Sequence, residues 1–450
     1  MFKNSGGNMR LKNFTAAVLI LFACFYAAAE TLSLEDCIDR TLKESDKIKA
    51  MQESEAAAKS GKDGTVFSFL PTATLDVALT WMPKYNPEGY SSVDMTTFQP
   101  VTVPFPEKSR TLGITVVQPI TPLWSVSYGY KSLETAEDIA KLQRELSEDQ
   151  LKLEVMNLFY NYQLLNESME ILNETKEQLQ KYYEQAKNFY DAGVVDKRSV
   201  LKIEIEMTKL EQQIQTVTGN TNLIKRNIGI LINKPVDSFE LEKKEVTEKN
   251  LSADNSQLEK IMTDNRLEYK LLEKSESISE YSEMLAVQPL IPTLALVAGY
   301  KKDWDAGSMK PEDTVFIGGQ LSWNIGFDWG KTAFDIKQSK HKKVQTRLEN
   351  AATRKQLSLQ LTQLENDVET KALSIEISKR EIESAEENLR IEEDKYKAKM
   401  TTETDLLAAS LSLRSAKLGL LTAMYEHEVA LHTLAITIGT EYGSITEGGN

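Results

Sequence analysis

Two periodicities divide this chain. From Thr74 to Trp81 apolar and polar positions alternate, with Leu75, Val77, Leu79 and Trp81 on one side and Thr74, Asp76, Ala78 and Thr80 on the other. Such alternation predicts a strand, about 69–81. A second strand is expected at 111–120, ending in Gln118-Pro119-Ile120. Elsewhere the period is helical. Val155, Leu158, Tyr162, Leu165, Met169, Leu172, Leu179, Tyr183, Ala186 and Tyr190 keep a 3-4 spacing with Lys176 as the one polar exception. That is a heptad seam, the mark of supercoiled helices. It stops at Asp191-Ala192-Gly193, a helix stop signal, and another helix runs on to Asn233-Lys234-Pro235.

The plan then recurs. Glu30 to Val66 reads as a helix capped near Ser33, 82–109 as a loop and 236–255 as a charged connector. Residues 257–285 read as a helix, 290–300 and 314–327 as strands, and 331–438 as a second long helical hairpin broken between Tyr396 and Thr402. Pro292-Thr293 matches Pro71-Thr72, Ile325 and Trp329 stand at one offset from Ile120 and Trp124, and Tyr396 falls where Tyr190 did. The expected organisation is a signal peptide at 1–29, a first repeat over 30–250 with its hairpin at 123–234, a second repeat over 251–440, and a tail at 441–450. All 12 prolines lie in strands, loops or element boundaries, which leaves the hairpins' i→i−4 ladders intact. At ~1.5 Å rise per residue the first arm of the second hairpin is ~100 Å long. Ordinary helices have ~11–12 residues, so a function must exist that needs this one.

Composition narrows the class. The chain has 450 residues, a charged fraction of 27% and a mean hydropathy of −0.37, which excludes a bundle of apolar membrane helices. A net charge of −14 argues against nucleic acid as a partner. The N-terminus carries the marks of a targeting segment: Met9-Arg10-Leu11-Lys12, an apolar run from Ala16 to Phe25, then Ala27-Ala28-Ala29 before Glu30. A rival reading takes Leu21-Phe22-Ala23-Cys24 as a relaxed lipobox with Cys24 acylated. Two cysteines and three histidines are too few for a disulfide framework or an ordinary zinc site. Cys37 is expected to be a small packed residue. His427 and His432 do not face one way on a helix, so no metal pair is expected. The sequence shows no nucleophile motif, phosphate loop or Cys/His cluster, so neither an enzyme nor a cofactor is expected.

Four strands of ~10 residues match the length that crosses a bilayer. In a bilayer an open sheet edge is forbidden, because each unsatisfied backbone group costs several kcal/mol. Trp81, Tyr90, Trp124, Tyr128, Tyr300, Trp304, Trp323 and Trp329 cluster near strand ends, as interfacial aromatic girdles do. The expected fold is an α+β membrane protein whose strands complete a barrel only with those of other chains.

On these residues the chain resembles the TolC-type outer membrane efflux proteins, the outer membrane factors, over essentially its whole mature length. The resemblance is carried by Thr31-Leu32-Ser33-Leu34-Glu35-Asp36, by the strand starts at Pro71 and Pro292, and by Gln118-Pro119-Ile120. It is carried also by Tyr190-Asp191-Ala192-Gly193-Val194, by Tyr396 through Asp405-Leu406-Leu407-Ala408, and by Ala416 to Gly439. It implies a homotrimer with a twelve-stranded barrel continuous with a periplasmic α-helical coiled-coil barrel. The implied role is the passive exit duct of a tripartite efflux or type I secretion system. The implied partners are a periplasmic adaptor, an inner-membrane pump of RND or ABC type, and outer membrane lipid. The resemblance places the periplasmic aperture at Tyr396, Lys399, Thr401 and Asp405, with Ser199 as the matching position of the first repeat. It gives Gly193, Val194, Met400 and Thr402 as the turns that an adaptor meets. Three copies of Asp405 would form an acidic ring. A second ring falls on Ala408 and is absent, and Ser199 and Thr401 stand where a charged lock is common in the family. Lys399 replaces the glycine of the first repeat, so either it adopts a left-handed conformation or the turn differs. Two other readings compete. A soluble periplasmic coiled-coil adaptor or scaffold would explain the hairpins but not the strand pairs, and a secreted enzyme would need a pocket that the sequence does not show.

Overall fold

The computed structural model describes residues 30–81, 90–93, 96–103, 108–305, 312–324, 326 and 328–446. The leader, Cys24, Ile325 and Phe327 lie outside them. In chain order, β1 (Glu30–Leu32) precedes α1 (Leu34–Glu44), α2 (Asp46–Thr65) and β2 (Thr72–Trp81). Next come β3 (Tyr90–Val93), β4 (Pro100–Val103), β5 (Lys108–Pro119), α3 (Pro122–Asp191) and α4 (Lys197–Leu231). After β6 (Phe239–Leu241) the order returns to α5 (Asn255–Asn265), α6 (Leu267–Ala286), β7 (Thr293–Asp303), β8 (Asp313–Ser322), α7 (Asp328–Lys397) and α8 (Glu403–Ile438). Both α3 and α7 are 70 residues long, ~105 Å at the α-helical rise.

Three expectations need correcting. The first helix is interrupted at Ser45, whose backbone is extended, and its first residues pair in parallel with β6 instead. The helix expected at 257–285 breaks at Arg266, again extended; the Arg266 guanidinium is buried and bonds Glu268 and Gln360. The expected loop at 82–109 contains an antiparallel pair, β3 with β4.

By its contacts the chain forms two compact units, each with segments from both repeats. One comprises 53–142 and 270–352. Its centre is an antiparallel sheet in the order β2-β5-β7-β8. The register sorts the side chains. Leu75, Ile114, Tyr300 and Val315 run across one face, with Val116, Ala298 and Ile317 beside them. Thr74, Thr115, Gly299 and Phe316 run across the other, beside Asp76, Gly113, Lys301 and Thr314. The apolar face is bare: Leu79 is 80% exposed and Ile317 86%. At the corner into α3, the Thr121 hydroxyl donates to the Pro292 carbonyl (2.7 Å) and accepts from the Leu294 amide (2.8 Å).

The other unit comprises residues up to Gln52, 143–269 and the chain from Thr353 on. Its hydrophobic core has three parts. Leu32, Leu34, Cys37, Phe159, Tyr160, Ile228 and Phe239 pack around the β1–β6 pair. Leu258, Met262, Leu361, Leu431, Leu434 and Ile445 join α5, α7 and α8. Leu172, Leu179, Ala186, Ile203, Leu210, Leu389, Tyr396 and Leu406 join all four hairpin helices. On α3 the buried seam runs Leu172, Thr175, Leu179, Tyr182, Ala186. Its heptad step stands, but Thr175 fills the place that the sequence assigned to Lys176, which instead pairs with Glu211 at 3.2 Å. Among the described helices, α8 is long and apolar enough to cross a membrane. Much of that apolarity is used inside the protein, at Leu406, Leu407, Tyr425, Leu431, Leu434 and Ile438. Cys37 is fully buried and burial pushes its thiol up to about 11.

Gly299 sits beneath the ring of Phe316. A Cβ built there would lie 2.6 Å from that ring and 2.7 Å from the Ile114 carbonyl oxygen. Gly318 has nothing within 4 Å of its own. Overpacking costs ~1–3 kcal/mol, so Gly299→Ala is expected to lower the thermal midpoint of the purified protein. Gly318→Ala should leave it unchanged in the same melt.

Candidate functional site at the hairpin turns

The two helical hairpins close with the same turn. In the first, the Val194 amide donates to the Phe189 carbonyl at 2.9 Å and the Gly193 amide to Tyr190 at 2.8 Å. In the second, the Met400 amide donates to Lys395 at 2.8 Å and Lys399 to Tyr396 at 3.0 Å. This is the paired bond pattern that ends a helix on a left-handed residue. Gly193 has φ 73 and Lys399 φ 63. Of the two alternatives for Lys399, the left-handed conformation is therefore the one adopted. It costs a non-glycine residue roughly 1–2 kcal/mol. The Lys399 ammonium lies 5.3 Å from the centre of the Phe189 ring on the other hairpin, a contact worth ~0.5–1 kcal/mol at an exposed site.

The next helix of each hairpin starts from a capped residue, and the two caps exchange roles. In the first repeat the acid is the cap: Asp196 accepts from the amides of Arg198 and Ser199, and Ser199 stands three residues on. In the second repeat the hydroxyl is the cap and the acid stands three residues on. The Asp405 amide donates to the Thr402 hydroxyl oxygen at 3.4 Å, while the Thr402 hydroxyl and amide donate to the Asp405 carboxylate at 2.7 and 3.3 Å. This is a capping box.

Each residue singled out in the sequence has a definite place. Asp405 is exposed at the start of α8. Hydrogen bonds from Thr402, then from Thr401, hold its carboxyl below the usual carboxylate range. The Thr401 hydroxyl lies 2.8 Å from Glu392 and 3.2 Å from Asp405; its single proton serves one of them at a time. Glu392 is also held low, chiefly by Lys395 and then by Thr401. Tyr396 is 4% exposed and packs on Phe189 with centroids 5.9 Å apart. Burial pushes its phenol up, and its hydroxyl is without a hydrogen-bond partner in the described residues. Ser199 is buried. Val194 is 45% and Met400 78% exposed, so both turns present an apolar side chain.

The sequence reading missed the residues that join one hairpin to the other. The Lys202 ammonium on α4 donates to the Thr404 hydroxyl at 2.7 Å and pairs with Glu403 at 3.3 Å on α8. The Tyr182 hydroxyl on α3 donates to Glu393 on α7 at 2.6 Å. Phe189, beside Tyr190 in the turn motif, reaches both Tyr396 and Lys399. Pairing across 200 residues leaves no local period, so nothing in the spacing marks these contacts. A shallow groove lined by Lys202, Ile205, Leu407, Ala408 and Leu411 runs between α4 and α8. Among the described residues, no three His, Cys, Asp or Glu side chains are placed to hold a metal ion.

The effect of pH on this turn follows from Asp405. Its folded pKa lies below the ordinary 3.8, so its stabilisation is present above that value and is lost as pH falls through the folded pKa. Asp405→Asn is therefore expected to lower the thermal midpoint at pH 7. The difference from wild type should shrink as pH falls through the folded pKa, which lies below 3.8.

Residues 275–440 match the profile of the family described as Outer membrane efflux protein. No curated protein matches the chain. Solved structures share its fold, among them the following three. CusC has a TM-score of 0.77 at 12% identity, covering 91% of this chain and 92% of its own. The outer membrane protein VceC of Vibrio cholerae gives 0.74 at 14% identity, covering 91% and 96%. The open state of the MtrE outer membrane channel of Neisseria gonorrhoeae gives 0.72 at 14% identity, covering 90% and 89%. The resemblance read from the sequence is thus borne out, by sequence over residues 275–440 and by fold over nearly the whole chain.

Proposed function

We propose, from the efflux-family match and the fold of outer membrane channels, that this protein is the passive exit duct of a tripartite efflux or type I secretion system. One observation carries the reading. The four-stranded sheet has an exposed apolar face and two outer strands, β2 and β8, exposed at every residue. An aqueous protein would cover such a sheet. Lipid against the face, and neighbouring copies against both edges, satisfy it. Three copies give a closed barrel of twelve strands, and the ~105 Å helices then span the periplasm as a coiled-coil tunnel. A soluble scaffold would leave the apolar face unexplained.

In this reading the turns are the inner end of the duct. Energy comes from an inner-membrane pump of RND or ABC type, and the chain supplies only a path. Val194, Met400 and the apolar groove between α4 and α8 are the surface offered to a periplasmic adaptor. Asp405, pinned by Thr401 and Thr402, repeats three times around the axis as a ring that favours cations, and Tyr396 and Lys399 complete the constriction with Phe189.

Cell fractionation tests the duct directly. The chain is expected in the outer membrane, released only by detergent, at three times its monomer mass. Recovery in the soluble periplasmic fraction would refute it. For the aperture, Asp405→Ala should raise single-channel conductance several-fold in planar bilayers and weaken block by multivalent cations. If both stay at wild-type values, Asp405 is no part of the constriction.

A further inference from the structure

The sheet's apolar face does not end with β8. Trp323 follows it by one residue and continues the alternation of Val315, Ile317 and Leu321, which are 81%, 86% and 68% exposed. Trp323 packs against Trp329 in the first turn of α7, with centroids 5.7 Å apart, and the Trp329 indole N–H donates to the Asn324 carbonyl at 2.7 Å. One turn further on, Phe334 is 73% exposed. Lys337 and His341 then follow on the face of Phe334, with Lys340 beside them. All three are exposed and have no ion pair among the described residues. In a helix the Cα–Cβ bond tilts toward the N-terminus, so these side chains reach back toward the tryptophan pair.

The matching segment of the first repeat lacks these cations. It has an aromatic pair, Trp124 and Tyr128, with centroids 5.0 Å apart. At the places of Lys337, Lys340 and His341 it carries Ser132, Thr135 and Ala136. Its acids Glu137 and Asp138 are instead engaged by Lys62 and Lys274, each at 2.6 Å. The first repeat's segment has one lysine, Lys131, 5.5 Å from the centre of the Tyr128 ring, so the pair of exposed lysines Lys337 and Lys340 belongs to the second repeat, in a chain whose net charge is −14.

We infer that Trp323, Trp329, Phe334, Lys337 and Lys340 form a docking surface for the phosphodiester headgroup of an anionic phospholipid in the periplasmic leaflet. The inference rests on the duct reading, which puts this strand end at that interface. The aromatic side chains sit at the boundary where one side is apolar and the other wet. Phe334 lies ~8 Å beyond Trp329 along the helix and Lys337 ~12 Å, and the lysine stems carry their ammonium groups back toward the headgroups. Two cations beside one phosphate favour an anionic lipid over a zwitterionic one.

The test uses the full chain purified in detergent. Short-chain phosphatidylglycerol, phosphatidylcholine and glycerol phosphate are titrated in separately, with tryptophan fluorescence as the readout. Phosphatidylglycerol is expected to bind at least tenfold more tightly than phosphatidylcholine. Each lysine near an anionic surface contributes about a fivefold factor, so Lys337→Gln with Lys340→Gln should weaken that binding about 25-fold. The circular dichroism and thermal midpoint should be unchanged, and the paired variant Lys181→Gln with Lys187→Gln, two exposed lysines of α3, should bind as wild type. Equal affinity for the two lipids, or an unaltered affinity in the Lys337/Lys340 variant, would overturn the proposal. Glycerol phosphate binding as tightly as the lipid would make this a free-phosphate site. A Lys337/Lys340 variant that changes oligomeric mass would make the face a contact between copies. Either of those results also overturns it. A soluble chain in the fractionation would instead remove the duct reading, so the two failures are distinguishable.

Discussion

An unpaired strand edge is the constraint from which the rest of this structure follows. Among the described residues β2 and β8 each have a neighbour on one side only, and each leaves a row of N–H and C=O groups without strand partners there. In water those groups find solvent; beside hydrocarbon they find nothing, and each costs several kcal/mol. The apolar face of the same sheet asks for hydrocarbon. One chain cannot meet both demands, so the sheet makes sense only as a fraction of a closed structure. In the duct proposed above, closure sets the number of copies, and a carboxylate at one turn is repeated with them as a ring.

The hairpins obey a local version of the same accounting. A helix end leaves carbonyl and amide groups unmatched, and both turns satisfy theirs without outside help. The carbonyls of Phe189 and Lys395 receive amides from beyond the turn, and the next helix begins on Asp196 or Thr402. Turns closed in this way are self-sufficient. Contacts between hairpins, such as Lys202 with Glu403 and Thr404, therefore control how the arms stand toward each other and not whether each arm exists.

What could be read beforehand follows the range over which each signal acts. The strands at Leu75–Trp81 and around Pro292 were legible because alternation is a local property. The seam of α3 was legible to within one residue, and the sequence placed Lys176 where Thr175 belongs because a heptad can be phased two ways around a polar interruption. The β1–β6 pair was not legible, since three residues carry no period and the partner lies some 200 positions away. The break at Arg266 hid for a related reason: a buried guanidinium held by Glu268 and Gln360 overrides a helical pattern that is otherwise intact. At the turn, the alignment of Lys399 with Gly193 left two outcomes open, a left-handed Lys399 or a different turn, and the left-handed one is adopted. The Thr402–Asp405 box was also present in the sequence as a hydroxyl residue followed three positions later by an acid. Phe189 and Lys202 belong to the tertiary structure alone.

One consequence concerns labelling chemistry. Among the described residues Cys37 is the only cysteine, and it is sealed in the core with its thiol held in the protonated, unreactive form. Once the expected leader, which carries Cys24, is removed, a cysteine introduced at the surface would be the single reactive sulfur on each chain. A spin label or fluorophore placed at Met400 would report on that position alone. In the duct proposed above, label-to-label distances would report the separation of the Met400 positions without removing a native residue elsewhere.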